Sequence, residues 1–206
     1  MTSSQTVVKP FDSARPKRRP ESLGKIKKAA RKLFVERGYH ATRPQDIARE
    51  AGLGHGTFYL HYEDKRACFL AFVEEARVEL QEYVDTRVAA TDGSLEHTIA
   101  ASLNAIYDYS ESHPGVLTAA MTDEAVIDAE GVQAMPLLVR WGHDWALHLQ
   151  RSMDNGTAAP IYDADIVGQA ILGAIHQVGA AGYRSRRKRQ DLVDNLTRFL
   201  VRALKP

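Results

Sequence analysis

The sequence predicts an all-α protein, on three observations. Apolar residues recur at three- and four-residue intervals through most of its 206 residues, the period of one face of an α-helix. No stretch alternates Val, Ile or Thr with polar residues between hairpin turns, as a sheet would require. Capping residues, glycines and prolines mostly fall between the periodic stretches, where helices begin and end.

Residues 1–22 lack a sustained period and carry Pro10, Pro16 and Pro20 among Ser, Thr and basic residues, so they read as a flexible arm. Its marked feature is Lys17-Arg18-Arg19, either a solvated tail or an arm for phosphates or a minor groove; alone, the run favours the tail. From Leu23, the residues Ile26, Ala29, Ala30, Leu33 and Phe34 form the face of a first helix that Gly38 stops. Thr42-Arg43-Pro44-Gln45 has the form of a capping box, with the Thr42 hydroxyl accepting from the Gln45 backbone and Pro44 in a first turn that needs no N–H. A short second helix follows, with Ile47, Ala48 and Ala51 inward and Gly52 as its stop. After Gly52-Leu53-Gly54 comes a third helix, His55 to about Tyr62, and then a fourth, capped by Asp64, with the face Phe69, Phe72, Val73, Ala76 and Leu80.

Ser94 caps a helix carrying Leu95, Ile99, Leu103 and Ile106, which stops near His113-Pro114-Gly115 because Pro disfavours helix in the residue before it. Short helical pieces fit between Val116 and Asp128. A longer helix, about Gly131 to Met153, places Leu138, Trp141, Trp145 and Leu149 on one stripe, with Pro136 in its first turns or at a kink. Asn155-Gly156 and Pro160 break the chain. Asp163 or Asp165 opens the next helix, to about Tyr183, and Leu192, Val193, Leu196, Phe199 and Leu200 define the last. The expected division is an arm at 1–22, a three-helix domain at 23–66 and a larger helical domain at 67–206.

Composition narrows the function. At 44% hydrophobic and 26% charged, the chain has an ordinary globular balance, which excludes collagen, fibre and wholesale disorder. No run of 18 apolar residues exists, and Met1-Thr2-Ser3-Ser4-Gln5 lacks a secretion signal, so the expectation is a soluble, cytoplasmic protein with no membrane partner. Cys68, the single cysteine, forms no internal disulfide or cysteine-based zinc site and suits a reducing compartment. The net charge of +1 conceals an asymmetry: residues 1–66 hold 15 Lys and Arg against 7 Asp and Glu, and residues 67–206 hold 12 against 19. A basic segment of that size attracts polyanions such as nucleic acid, and an acidic remainder is repelled by them.

Two short helices joined by a glycine-containing turn, in the basic part of the chain, are what a helix-turn-helix requires. The residues Ile26-x-x-Ala29-Ala30-x-x-Leu33-Phe34-x-Glu36-Arg37-Gly38-Tyr39-x-x-Thr42, Asp46-Ile47-Ala48-x-x-Ala51-Gly52-Leu53 and Gly56-Thr57-Phe58-Tyr59-x-His61-Tyr62-x-x-Lys65 resemble the DNA-binding region of TetR-family transcriptional regulators. The resemblance covers about forty residues and stops near Lys65. It implies that the third helix enters the major groove and the second crosses the backbone. Gly54, His55 and Thr57 then lie nearest base edges and phosphate, with His55 the foremost candidate for a base contact. Thr42 and Arg43 reach phosphate, and Tyr59, His61 and Lys65 clamp the backbone on the other side. Phe58 and Tyr62 are core. Each assignment has a plainer counterpart: capping alone for Thr42, a packed aromatic for Tyr59, a surface histidine for His61. The sequence departs from the family pattern at Gly54, where Ser commonly caps the helix, and at His55, where a longer basic residue would be less surprising. A histidine gains charge as pH falls through the neutral range, so binding should strengthen mildly on acidification. The spacing Gly52-x-Gly54-x-Gly56 is a poor nucleotide cradle, since no strand precedes it and no Lys-Ser/Thr follows.

In the larger domain, Gly168, Gly173 and Gly179 with Ala170, Ala174, Ala180 and Ala181 give one helix a small-residue face despite a cost of about 1 kcal/mol per interior Gly. With the apolar stripe of the last helix, this suggests a four-helix homodimer interface, as the resemblance also implies; close packing within one subunit is the alternative. Arg184, Arg186, Arg187, Lys188 and Arg189 follow that helix's carboxy end and read as a solvated loop complementing its dipole. Tyr107, Met121, Trp141, Trp145 and His148 are candidates to line an effector pocket for a small apolar or aromatic molecule, although ordinary core has the same appearance. No catalytic residues, cofactor or metal site is expected: the eight histidines show no metal-ligand spacing, and Asp123-Glu124 and His143-Asp144 are adjacent pairs that point to different helix faces. The expected function is a ligand-responsive repressor that binds an inverted-repeat operator in double-stranded DNA as a homodimer. The alternative is a helical interaction module that has lost DNA binding.

Overall fold

The computed structural model describes residues 20–122 and 137–206, and within them every regular element is a helix. In chain order these are α1 (Pro20–Ala41), α2 (Pro44–Glu50), α3 (His55–Tyr59), α4 (Lys65–Ala89), α5 (Leu95–Ser112), α6 (Val116–Thr122), α7 (Leu137–Asp154), α8 (Ala164–Arg184) and α9 (Arg189–Leu204). None of the described helices is long and apolar enough to cross a membrane.

The ends of the helices follow from local chemistry, with instructive exceptions. α1 opens at Pro20, not Leu23, because proline fits a first turn that needs no N–H. Lys17-Arg18-Arg19 lies outside the described residues. Gly38, at φ 74° and ψ 172°, breaks α1 as expected. The capping box at Thr42 does not form. Arg43 is the N-cap of α2, no side chain caps that helix, and Thr42 is fully buried with its hydroxyl donating to the Gly38 carbonyl at 2.8 Å. The break at Gly38 leaves a half-buried carbonyl there, and the buried Thr42 hydroxyl pairs with it, and with the Leu33 carbonyl at 3.3 Å, in place of an exposed cap that water can satisfy. The third helix is also shorter than its sequence period, ending at Tyr59. By contrast Asp64, Ser94 and Asp163 each cap their helices, accepting from Ala67 N at 2.7 Å, His97 N at 3.3 Å and Ile166 N at 3.0 Å.

Two apolar clusters organise the molecule. The first begins with Ile26, Leu33, Phe34, Ile47, Ala48 and Phe58 of α1 to α3, continues through Phe69, Phe72 and Val73 of α4, and reaches Tyr109, Leu137 and Trp141. Phe34 and Phe69 meet edge to face with centroids 5.1 Å apart. α4 therefore closes the amino-terminal core and also carries it across residue 66, where composition alone placed a boundary. The second cluster joins Ile99 and Leu103 of α5, Leu149 of α7, Ile171 of α8, and Val193, Leu196, Leu200 and Leu204 of α9. Phe199 is 62% exposed, against expectation, because it lies on the flank of the α9 stripe. On α7 the buried line is Leu137, Trp141, Ala146 and Leu149, with Leu138 and Trp145 half-buried; Gly131 to Pro136, the expected start of that helix, lies outside the described residues.

The small-residue helix divides between its two readings. At Gly168 a Cβ would sit 2.6 Å from the Ala146 backbone nitrogen, so this glycine serves close packing of α7 on α8 within one subunit. Gly173 and Gly179 face open space.

A polar joint ties α1 to the larger domain. Arg31 donates both guanidinium nitrogens to Glu79 of α4, at 2.6 and 2.7 Å, and the Tyr109 hydroxyl of α5 donates to the same carboxylate at 2.8 Å. Lys27 pairs with Glu75 alongside. These bonds hold the Glu79 carboxyl below the usual carboxylate range, Arg31 chiefly, while burial and the same carboxylate push the Tyr109 phenol up.

Candidate nucleic-acid interface

The face available to a partner is built by two short helices and the turn between them. α2 ends with Ala51 as its C-cap. Gly52, at φ 67°, donates to the Arg49 carbonyl at 3.0 Å and Leu53 donates to Ala48 at 2.9 Å, a Schellman closure that only glycine enters without strain. Gly54 then caps α3 through its backbone alone, in an extended conformation at φ −65° and ψ 146°, and its carbonyl accepts from Thr57 N at 2.9 Å. Ser is therefore not needed there for the turn.

On α3, Phe58 is fully buried and fixes the roll of the helix. That leaves His55, Gly56, Tyr59 and Leu60 exposed, with Thr57 half-buried at the edge. The His55 and Tyr59 rings, one helical turn apart, meet edge to face at 5.3 Å and stand as one projecting unit. Arg43 is exposed at the head of α2. Gln45, released from the capping role the sequence assigned it, is exposed beside Arg43; its place in the first turn of a helix with no side-chain cap is a signal that sequence reasoning missed. Leu60, 38% exposed at the end of the same face, was missed for the same reason that α3 was read as longer.

Three of the expected contacts are placed differently. The Thr42 hydroxyl is spent inside the fold, bonded to Gly38, and is not presented at the surface. Lys65 Nζ donates to the Tyr39 carbonyl at 2.9 Å and lies 4.1 Å over the Tyr39 ring, tying the start of α4 to the end of α1. His61 Nε2 meets Ser22 Oγ at 2.8 Å, so it anchors the first turn of α1 as well as bordering the face. The basic excess of the amino-terminal part is likewise partly consumed: Lys25, Lys27, Arg31 and Lys32 pair with Glu21, Glu75, Glu79 and Glu50.

The five effector candidates do not converge on one spot. Met121 and Trp141 belong to the first cluster, Tyr107 to the second, and Trp145 touches both. Tyr107 has Arg189 over its ring at 5.5 Å, and its phenol is pushed up by burial. His148 is half-buried on α7. Trp141 is 7% exposed, and its indole N–H has no acceptor among the described residues. No group of three His, Cys, Asp or Glu among the described residues could hold a metal ion. Cys68 is buried, and burial pushes its thiol up to about 12, so it is an inert core residue.

A short helix, a glycine turn and a second short helix with an exposed polar and aromatic face define a helix-turn-helix. Residues 26–72 match the family model of bacterial regulatory proteins, tetR family. Over 99 residues, 45% of this chain, the sequence is 32% identical to the HTH-type transcriptional activator FasR of Mycolicibacterium smegmatis, of which 42% is covered. The chain spans less than half the length of the curated relatives it matches. Among solved structures it is similar to a putative tetR family transcription regulator from Shewanella sp. PV-4, with TM-score 0.68 and 19% identity over 91% of this chain and 100% of that one. It is equally similar to the fatty acid degradation regulator FadR from Bacillus halodurans, with TM-score 0.69 and 19% identity over 89% and 95%. At those identities the likeness is one of fold. Residues 26–72 therefore carry the amino-terminal helix-turn-helix region of the tetR family of bacterial regulatory proteins.

Proposed function

We propose that the protein is a cytoplasmic repressor that binds an inverted-repeat operator in double-stranded DNA as a homodimer and is released by a small apolar or aromatic effector. The observation that carries the reading is the α3 face: His55 and Tyr59 project together, held by a Phe58 that is fully buried, at a helix start whose amides favour phosphate. His55 and Thr57, with Gly54 allowing close backbone approach, address base edges. Arg43, with Tyr59, His61 and Lys65 on the far side, addresses phosphate; Thr42 takes part as the strut that sets α2 on α1.

The dimer rests on what α8 and α9 leave uncovered. Gly173 and Gly179 face open space, Ile166 is 70% exposed and Phe199 62% exposed, and a groove between the helices is lined by Ala174, Val178, Leu192 and Leu196. An apolar face of this kind, on the helices farthest along the chain from α3, suits an isologous four-helix contact. Two recognition helices about 34–36 Å apart would then read successive major grooves.

For the effector, the buried Trp141 N–H, which has no acceptor among the described residues, favours an apolar molecule carrying one carbonyl or carboxylate, held near Met121 and Trp145. Tyr107 and His148 stand at the margins of that reading. The relation to a fatty acid degradation regulator is in keeping with such a ligand. Effector action requires different affinities for the DNA-binding and released geometries. A second reading, activation instead of repression, is favoured by the relative named as an activator.

The test is a gel shift with the DNA flanking the protein's own gene. A sequence-specific shift that an inverted-repeat competitor abolishes supports the reading. No shift at low salt leaves a helical interaction module that has lost DNA binding.

A further inference from the structure

The loop after α8 stands out against the charge of its domain. Residues 67–206 hold 12 Lys and Arg against 19 Asp and Glu, yet five of those 12 fall within 184–189. Arg189 is tied down, donating to Asn104 at 2.9 Å and pairing with Asp108 and Glu111 of α5. Arg184, Arg186, Arg187 and Lys188 are exposed and make no ion pair with any described residue.

The loop lies at the DNA-binding end of the larger domain. Arg189 fixes it to the last two turns of α5, and that same stretch carries Tyr109, whose hydroxyl joins the Arg31–Glu79 joint with α1. The chain then turns at Gly115, where a Cβ would meet Val35 of α1. From Asn104 to Ser112 is about 12 Å of helix. In the dimer proposed above, the loop joins the two interface helices, so both copies flank the symmetry axis on the side of the recognition helices.

The backbone carries a second, independent mark. Three helices end in the same Schellman closure. α2 places Gly52 at the left-handed position and α7 places Gly156, at φ 67° and 76°. α8 places Arg186 there, at φ 53°, with Arg186 N donating to Tyr183 at 3.3 Å and Arg187 N to Gly182 at 3.1 Å. A side chain at that position is strained where glycine is not, so folding alone does not account for the arginine. A strained position of this kind points to function.

We propose that residues 184–188 form a second DNA contact, independent of sequence, which draws the phosphates of the operator centre between the two recognition helices. The proposal rests on the DNA-binding dimer reading. It differs from the family contacts of α2 and α3 in carrying affinity without base discrimination.

The test uses the full chain and a random-sequence duplex of about 40 base pairs, with affinity followed against salt. Arg186→Gln/Arg187→Gln/Lys188→Gln is expected to bind about tenfold more weakly at low salt, and to flatten the plot of log affinity against log salt by about 0.9 for each phosphate no longer neutralised. Arg186→Gly separates charge from folding: its melting temperature should be no lower than the wild type's while its DNA affinity falls. Arg186→Lys/Arg187→Lys, which keeps the charge beside Lys188, should bind as the wild type does. If the wild type binds duplex and the triple variant keeps its affinity and slope, the inference is overturned and the operator reading stands. If the wild type binds no duplex, both fall. Loss of binding to anionic vesicles with DNA binding unchanged would assign the loop to a membrane and overturn the inference as well.

Discussion

Glu79→Gln probes the joint that fixes the DNA-binding helices on the rest of the molecule. The substitution keeps the size of the side chain and one acceptor oxygen but removes the charge that receives two guanidinium bonds and one phenol. Arg31 and Glu79 are 24% and 36% exposed, so the pair sits between the surface regime, about 0–1 kcal/mol, and the buried one, where removing a partner costs about 3–5 kcal/mol. A loss of about 1–2 kcal/mol follows, which for a chain of this size lowers the melting temperature by about 2–8 °C. Thermal melts of Glu79→Gln, Arg31→Met and the double variant form a cycle, and the coupling should exceed about 0.5 kcal/mol. The pH dependence supplies the sign. Glu79 is held below its ordinary pKa, mainly by its hydrogen bond with Arg31, so its contribution is complete above about pH 5 and disappears as pH falls through the carboxylate range. The difference between wild type and Glu79→Gln should therefore shrink steadily as pH falls below the ordinary carboxylate range. A coupling near zero at pH 7, or a difference that grows with acid, would refute the reasoning.

Thr42→Val should lower stability by about 1 kcal/mol by removing the donor to the Gly38 carbonyl, and leave the salt dependence of DNA binding unchanged; a flatter salt plot at full stability would return the residue to the DNA face. Gly168→Ala should destabilise by about 1–3 kcal/mol, since its Cβ meets the α7 backbone, as denaturant titration would show. Gly173→Arg, which meets nothing within the subunit, should leave secondary structure intact and shift sedimentation toward monomer if α8 forms the interface. His55→Ala should weaken specific binding and leave the melting temperature within about 2 °C of the wild type, because the side chain is exposed and among the described residues its ring meets that of Tyr59 alone.

Much of this was legible in the sequence because helices announce themselves by period and cap. Phe69, Phe72, Val73 and Ala76 are buried as their spacing required, and Asp64, Ser94 and Asp163 cap the helices they precede. Thr42 shows where local reading stops. The motif around it satisfies every rule of a capping box, but the break at Gly38, four residues earlier, offers a half-buried carbonyl that takes the same hydroxyl. Lys65 and His61 were likewise recognisable as bordering the face, while their bonds to Tyr39 and Ser22 depend on how α1 lies across the turn. Gly168, Gly173 and Gly179 look alike in the chain. Only the position of α7 separates the one that is needed for packing from the two that are uncovered. The basic loop read as solvated because nothing in its sequence says which end of the domain it occupies; the contacts of Arg189 do.

The central claim is that the His55–Tyr59 face reads DNA, and selection of bound sequences from a pool of random duplexes tests it most directly. The wild type should enrich an inverted repeat with half-sites about one helical turn, or a multiple of it, apart, and His55→Ala should relax the preference at symmetric positions while leaving the others in place. A pool that yields no repeat, or a repeat unchanged by His55→Ala and by Tyr59→Ala, would contradict the account.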